Sequence, residues 1–309
     1  MKMSKFMNNV IHELETKGLS TNTISMYMKR LYMINDSKPF RSLTFLKDTE
    51  KVISVLKERL SPSTQKSYAG TIMSVLSLKD TKTNDKLKKI YNSFISDEDM
   101  KEIKSHDTTE KQKANWITEE QLTEVKSNLE KNAIIALKEN PVSLTGYNTI
   151  MKNVLLSFFV NLPPRRASDY ALMKYQDDTT DKNFNYLTSK HVLVFHNYKT
   201  SKTHGTQEIN IAQNKPLLKD IKMYLKNRKP NKDNFLLVKF TGKEFNTIND
   251  VTRTLNMIFG KKISTNMLRN MYVSHKYGSI KEDMKEDAQA MSHSVNTQQT
   301  VYNKGSEPK

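Results

Sequence analysis

The chain has 309 residues, a length that suits two folded units, and its 13 Tyr and 12 Phe supply enough aromatic bulk for two cores. Lys and Arg number 50 against 33 Asp and Glu, a formal net charge of +17, and with that apolar content a disordered basic tail protein is excluded and a folded protein with a polyanionic partner is expected. Cysteine is absent, which rules out disulfides, thiolate zinc sites and cysteine nucleophiles.

The opening MKMSKFMNNVIHELE lacks the apolar centre of a secretory signal, and no stretch approaches the ~18 apolar residues of a membrane span. The expectation is an intracellular, soluble protein with no membrane partner. Residues 1–105 carry 19 Lys and Arg against 12 Asp and Glu, so the positive excess is shared by both halves of the chain. Over the same residues, apolar side chains recur at intervals of three and four with Ser, Thr or Asp at the starts, the pattern of short helices. Leu19, Ser20, Thr23, Tyr27 and Leu31 return in type and spacing as Leu60, Ser61, Thr64, Tyr68 and Ile72. Each set reads as a helix with a serine cap and a Tyr and aliphatic residue on one face.

The polar stretch SHDTTEKQKAN has no apolar period, and 106–115 are expected to link a helical unit, 1–105, to a second unit, 116–309. Thr118 with Gln121 three residues on predicts a capping box that opens the second unit. Helical periodicity continues to about Lys138 and again over 144–160, where Pro163 and Pro164 stop it. HVLVFHNY (191–198) and the alternation of Glu208, Ile209, Asn210 and Ile211 predict strands, and residues 186–212 read as a β-hairpin or small sheet turning at Gly205. Helices are expected again over 215–227, 247–259, 264–276, 280–291 and 296–303. The fold class expected from this order is mainly α with a small β-sheet.

Four clusters along the second unit can carry chemistry. In NLPPRRASDYALM, Arg165 and Arg166 open a helix just after a proline break, where a guanidinium and free backbone N–H groups can meet one anion; Asp169 would hold the Arg166 side chain. Taken in isolation, the same residues read more readily as ordinary exposed helix-start charges. Lys199 and Lys202 lie near a strand end, from which a lysine can reach into a groove and donate a proton, although most hairpin lysines are simply solvated. Arg269 edges the apolar stripe of Leu268, Met271 and Tyr272, and a half-buried arginine normally has an anionic partner. His293 precedes Tyr302 by nine residues across an expected helix break at 294–297. No pair of histidines has metal-ligand spacing, and neither a metal nor a cofactor is expected.

The order of these pieces, Arg166 with Asp169, a hairpin lysine, Met267-Leu268-Arg269, then His293-Ser294 and Tyr302, resembles the catalytic domain of tyrosine recombinases. The resemblance covers roughly residues 115–303, and the helical front with its Leu-Ser-x-x-Thr-x-x-x-Tyr pattern is similar to that family's core-binding domain. It implies a helical DNA-binding domain followed by an α+β catalytic domain, closing on double-stranded DNA as a homo-tetramer. It also implies a site-specific recombinase or integrase that cuts and rejoins DNA without metal or ATP.

By the same resemblance, Tyr302 is the nucleophile, Arg166 and Arg269 clamp the phosphate, Lys199 (or Lys202) protonates the leaving 5′ oxygen, and His293 hydrogen-bonds the phosphate. Asn266 stands where the family carries His or Lys, and it can hydrogen-bond but cannot hold charge. A type IB topoisomerase, or a non-catalytic DNA-binding protein of the same fold, are the alternative readings. Few residues follow Tyr302, which puts assembly by exchange of a C-terminal tail in doubt.

Overall fold

The computed structural model of the chain describes residues 3–96, 109–245 and 248–302, apart from the side chains of Lys111, Ile248, Thr300 and Tyr302. The described residues form a mainly α protein with one four-stranded mixed sheet. By its internal contacts the chain divides into two compact units, Met1–Asp107 and Thr108–Lys309. Among the described residues no helix is long and apolar enough to cross a membrane.

The first unit is built from α1 (Lys5–Thr16), α2 (Thr21–Ile34), α3 (Thr49–Arg59), α4 (Pro62–Leu76) and α5 (Lys82–Ser96). Side chains at the helix starts satisfy backbone donors that would otherwise be orphaned: Ser4 accepts from the Met7 N–H, Ser20 from Thr23 and Asp48 from Lys51. The two look-alike segments are α2 and α4, and they pack on each other. Leu31 and Ile72 are fully buried, the Tyr27 hydroxyl meets Ser74 Oγ at 3.3 Å, and Arg30 donates to the Ser67 carbonyl at 2.8 Å and to Thr71 Oγ1 at 2.9 Å. One expected cap differs. Ser61 stands at the N-cap position, but its hydroxyl bonds Thr64 Oγ1 rather than a backbone N–H, because Pro62 in the first turn sets the backbone and leaves one donor fewer to satisfy.

In the second unit the expected linker 106–115 is only partly a linker. Its first residues, 106–108, lie outside the described residues, while Glu110–Asn115 form α6. Thr109 and Gln112 cap each other's backbones there, which lets a polar stretch without an apolar period start a helix. The capping box of Thr118 and Gln121 opens α7 (Glu119–Ala136). The next helix, α8 (Leu144–Val160), is apolar on nearly every side and buried along most of its length; it ends before the two prolines. After them come α9 (Ala167–Ala171), β1 (Lys174–Tyr175), β2 (Asn185–Leu187), β3 (Val192–Phe195), α10 (Ser201–His204), β4 (Gln207–Asn210), α11 (Lys215–Asn227), α12 (Ile248–Phe259), α13 (Thr265–Ala290) and α14 (Val295–Thr297). A turn of π-helix over Gln298–Tyr302 closes the described chain.

The sheet runs in the order β1-β2-β3-β4, with β1 parallel to β2 and the rest antiparallel. β3 and β4 pair as the expected hairpin, Leu193 opposite Ile209, but they do not turn tightly at Gly205. Residues 196–206 insert the one-turn helix α10, and Gly205 ends it at φ +66, a conformation that costs glycine little. The segment after α11 carries order that the hydrophobic pattern did not announce. Leu236, Leu237 and Val238 are buried, and the backbone runs beside β1, with Tyr175 N–H donating to the Asn234 carbonyl at 2.8 Å. The two helices expected over 264–276 and 280–291 are one, α13: Gly278 and Ser279 weaken a helix without removing a backbone donor, so they do not break it. The break before Tyr302 also falls earlier than expected. It lies at Ser292, with φ +56, because Ser294 caps α14 by accepting from the Thr297 N–H.

A polar knot holds α7, α8 and α11 together inside this apolar packing. Lys126 Nζ lies 2.8 Å from Asp220 Oδ2 and donates to Asn153 Oδ1 at 2.9 Å, while Asn153 Nδ2 donates to Asp220 Oδ1 at 2.7 Å. The two charged side chains are 12% and 1% exposed. At the rim Glu130 receives Lys219, whose hydrogen bond, against a smaller opposing effect of burial, holds the Glu130 carboxyl below its ordinary range. Removing one member of such a buried pair leaves the other charge uncompensated. Asp220→Ala is expected to lower unfolding free energy by about 3–5 kcal/mol in urea titrations; a loss under about 1 kcal/mol would show the knot to be dispensable.

Candidate functional site

The clusters singled out along the sequence all lie in the second unit, and the tertiary structure treats the two adjacent arginines just before α9 differently. Arg165 is consumed structurally. Its Nε donates to Asp169 Oδ2 at 3.0 Å and its Nη1 to Gln207 Oε1 on β4 at 2.9 Å. The guanidinium carbon lies 3.9 Å from the centre of the Phe195 ring and 5.1 Å from that of Tyr198. Asp169, 2% exposed, also accepts from Ser168 Oγ. The expectation that Asp169 holds Arg166 is therefore corrected: the carboxylate takes Arg165, which precedes the N-cap of α9, and not Arg166.

Arg166 occupies the N-cap position of α9, where its carbonyl accepts from the Asp169 N–H at 3.0 Å. Its side chain is half-buried and forms no hydrogen bond or ion pair with a described residue. Arg269 is in the same condition, half-buried on α13 without a partner among the described residues. The other half-buried arginines are all engaged: Arg30 by Ser67 and Thr71, Arg165 by Asp169 and Gln207, Arg228 by the Phe235 carbonyl. A half-buried guanidinium without a protein acceptor is a place for an external anion.

Lys199 and Lys202 sit on the connection between β3 and β4, Lys199 exposed just after buried Tyr198 and Lys202 exposed on α10. Neither is at a strand end, since β3 stops at Phe195. The connection is nonetheless fixed. Asn185 Nδ2 donates to the carbonyls of both Asp169 and Asn197, Asn197 N–H donates to Asn185 Oδ1, and the Tyr198 hydroxyl donates to the Gly205 carbonyl at 2.7 Å. His196 bridges Thr206 and the Thr179 carbonyl, one through each ring nitrogen.

What unites the three cationic positions is the core beneath them. Ala167, Tyr198 and Leu268, the neighbours of Arg166, Lys199 and Arg269, are buried members of the same apolar cluster. His293 is half-buried beyond the end of α13, with its N–H donating to the Ala288 carbonyl and its Nδ1 3.2 Å from the Ser294 carbonyl oxygen. The Tyr302 backbone closes the π-helical turn, and its phenol lies outside the described atoms. Asn266, exposed in the first turn of α13, lines an open cavity of about 410 Å³ together with Lys262, Asn256, Asn270 and Gln112.

Sequence reasoning missed Gln207 and Asn185, and it gave Arg165 an anion-binding role in place of this structural one. Gln207 and Asn185 act across the sheet, and nothing local distinguishes them from solvated amides.

No protein-family model matches the chain, and no curated protein matches it. Among solved structures, the crystal structure of XerA recombinase aligns over 98% of this chain and 94% of that one, at 14% identity and a TM-score of 0.35. A likeness that shallow leaves fold and function to be argued from the chain's own residues.

The division of labour between the two arginines is measurable. Arg165→Met strands the buried Asp169 carboxylate and is expected to cost about 3–5 kcal/mol of stability, whereas Arg166→Met should stay within about 0.5 kcal/mol. Equal losses in guanidinium unfolding would show that both side chains are structural.

Proposed function

We propose that the protein is a site-specific DNA recombinase that cuts and rejoins double-stranded DNA through a tyrosine–phosphate intermediate, working as a tetramer on two sites. The observation that carries this reading is the pair of half-buried arginines, Arg166 and Arg269, which find no acceptor among the described residues although every other half-buried arginine does. They are the two arginines that the resemblance places on the scissile phosphate. The formal charge of +17 supports a polyanionic partner.

In the proposed reaction the Tyr302 phenolic oxygen attacks the phosphorus. Arg166 and Arg269 hold the non-bridging oxygens and stabilise the charge that grows in the pentacoordinate transition state. The P–O5′ bond breaks as Lys199, with Lys202 as the alternative donor, supplies a proton to the departing oxygen. His293 hydrogen-bonds the phosphate. The product is a 3′-phosphotyrosine, and a 5′ hydroxyl from a second strand reverses the attack, so the bond energy is kept and no ATP is needed. Asn266 cannot supply charge at its position, which favours a second reading, a DNA-binding protein of this type without catalysis; a type IB topoisomerase would use the same steps to relax supercoils.

A suicide substrate, a duplex nicked so that the freed 5′ fragment diffuses away, tests the chemistry. The wild type is expected to form a covalent adduct that Tyr302→Phe abolishes. Arg166→Ala and Arg269→Ala should lose the adduct by about 10²-fold or more while retaining most of their duplex affinity, because phosphate contacts elsewhere hold the backbone. A bridging 5′ sulfur at the cleaved phosphate should rescue Lys199→Ala, and rescue of Lys202→Ala instead would move the proton donor. No wild-type adduct on any duplex would leave the binding protein, and relaxation of supercoils without two-site exchange would leave the topoisomerase.

A further inference from the structure

Helix α13 is longer than its core requires. It runs for 26 residues, ~39 Å at 1.5 Å per residue, yet its buried residues are Thr265, Met267, Leu268 and Met271 in the first two turns and Ala288 near the end. Between them one face stays apolar and open. Val273, Tyr277 and Ile280 are 55%, 46% and 52% exposed, and Met291, just past the helix, is 56% exposed.

With about 100° of rotation per residue, Val273, Tyr277, Ile280 and Met284 fall within roughly 60° of one another. That is the narrow seam of two helices packing along their lengths, and it is narrower than the face a helix turns to a globular core. Among the described residues the end of the chain covers only the far part of the seam, where Gln299 Nε2 reaches Met284 Sδ and the His293 N–H reaches the Ala288 carbonyl.

The charges along α13 are sorted by position. Arg269, Lys276 and Lys281 occupy the first part without a carboxylate among them, while Glu282, Asp283, Glu286 and Asp287 crowd the last, with Lys285 as the one cation. Lys276 is steadied beside the seam by donating to the Tyr272 hydroxyl at 3.2 Å. Lys276 and Asp283 lie on the same side of the seam, each rotated from its centre by about 70–90°.

We propose that this seam docks on the same seam of a second copy of the chain, antiparallel, with Ile280 at the two-fold axis. The antiparallel arrangement lays the basic part of each helix against the acidic part of the other and sets Lys276 of one copy opposite Asp283 of the next. A parallel pair would stack cation on cation and carboxylate on carboxylate. Exposed ion pairs contribute little energy, so the apolar seam provides the attraction and the charges select the direction. The contact is isologous and closes as a dimer. It does not rest on the DNA chemistry proposed above, and it is present without DNA.

Sedimentation velocity of the full chain without DNA, over a range of protein and salt concentrations, provides the test. A concentration-dependent dimer is expected. Ile280→Glu, at a position exposed in the single chain and therefore harmless to its fold by circular dichroism, should raise the dimer dissociation constant roughly ten-fold or more. Lys276→Glu and Asp283→Lys should each weaken the dimer, and the two together should restore it.

Because the chain has no cysteine, a single introduced one reads the direction. Under copper–phenanthroline oxidation Ile280→Cys should cross-link two copies, whereas Val273→Cys should not, since antiparallel packing holds its two copies ~21 Å apart. A chain that stays monomeric at every concentration, a dimer indifferent to Ile280→Glu, or cross-linking through Val273→Cys as readily as through Ile280→Cys overturns the proposal.

Discussion

The guanidinium of Arg165 is the point at which the second unit is tied together. One side chain binds the carboxylate of Asp169 on α9, the amide of Gln207 on β4, and the faces of Phe195 and Tyr198 at and beyond the end of β3. A planar cation suits this position because its edge serves two acceptors while its face lies against rings, and an ammonium group cannot do both. With Arg165 so held, the start of α9 cannot slide relative to the sheet, and the backbone of the adjacent Arg166 inherits that rigidity. The connection carrying Lys199 and Lys202 is fixed from the other side by Asn185, which bonds the carbonyls of Asp169 and Asn197 together.

This arrangement separates an engaged arginine from an unengaged one. Two neighbouring arginines share one helix start, yet the first is saturated with protein acceptors and the second has none among the described residues. The energetic logic favours such a separation. A buried ion pair keeps its position only while both partners stay paired, so the arginine that anchors the fold is unsuited to exchange partners with a substrate. Arg269, raised on the first turns of α13 directly after buried Leu268, repeats the pattern with the core itself as its anchor.

The polar knot of Lys126, Asn153 and Asp220 belongs to the same economy. The α8 helix is buried nearly all round, and apolar packing alone would allow it to turn or shift between α7 and α11 at small cost. A buried amide that must accept from Lys126 and donate to Asp220 permits one register. The α8 helix in turn supplies much of the cluster on which Ala167, Tyr198 and Leu268 rest.

The sequence by itself determined the classes of element and most of their places: helices where apolar residues recur at three and four, a strand pair where β-branched and aromatic residues gather, a stop at Pro163 and Pro164, and caps at Ser4, Ser20, Thr118 and Ser143. These are local effects, in which a residue's neighbours along the chain set both its backbone preference and its face. The order of Arg166, the hairpin lysines, Arg269, His293 and Tyr302 was legible in the same way, as a pattern of types.

Only the tertiary structure decided which arginine Asp169 takes, that α10 interrupts the hairpin, that α13 runs unbroken through Gly278, and that Leu236, Leu237 and Val238 lie buried beside the sheet. The first and the last of these depend on partners far away in the chain, Gln207 for Arg165 and Met173 for the backbone of Leu236. A side chain offered several acceptors at similar spacing chooses by distance and burial, and both exist only after the chain has folded.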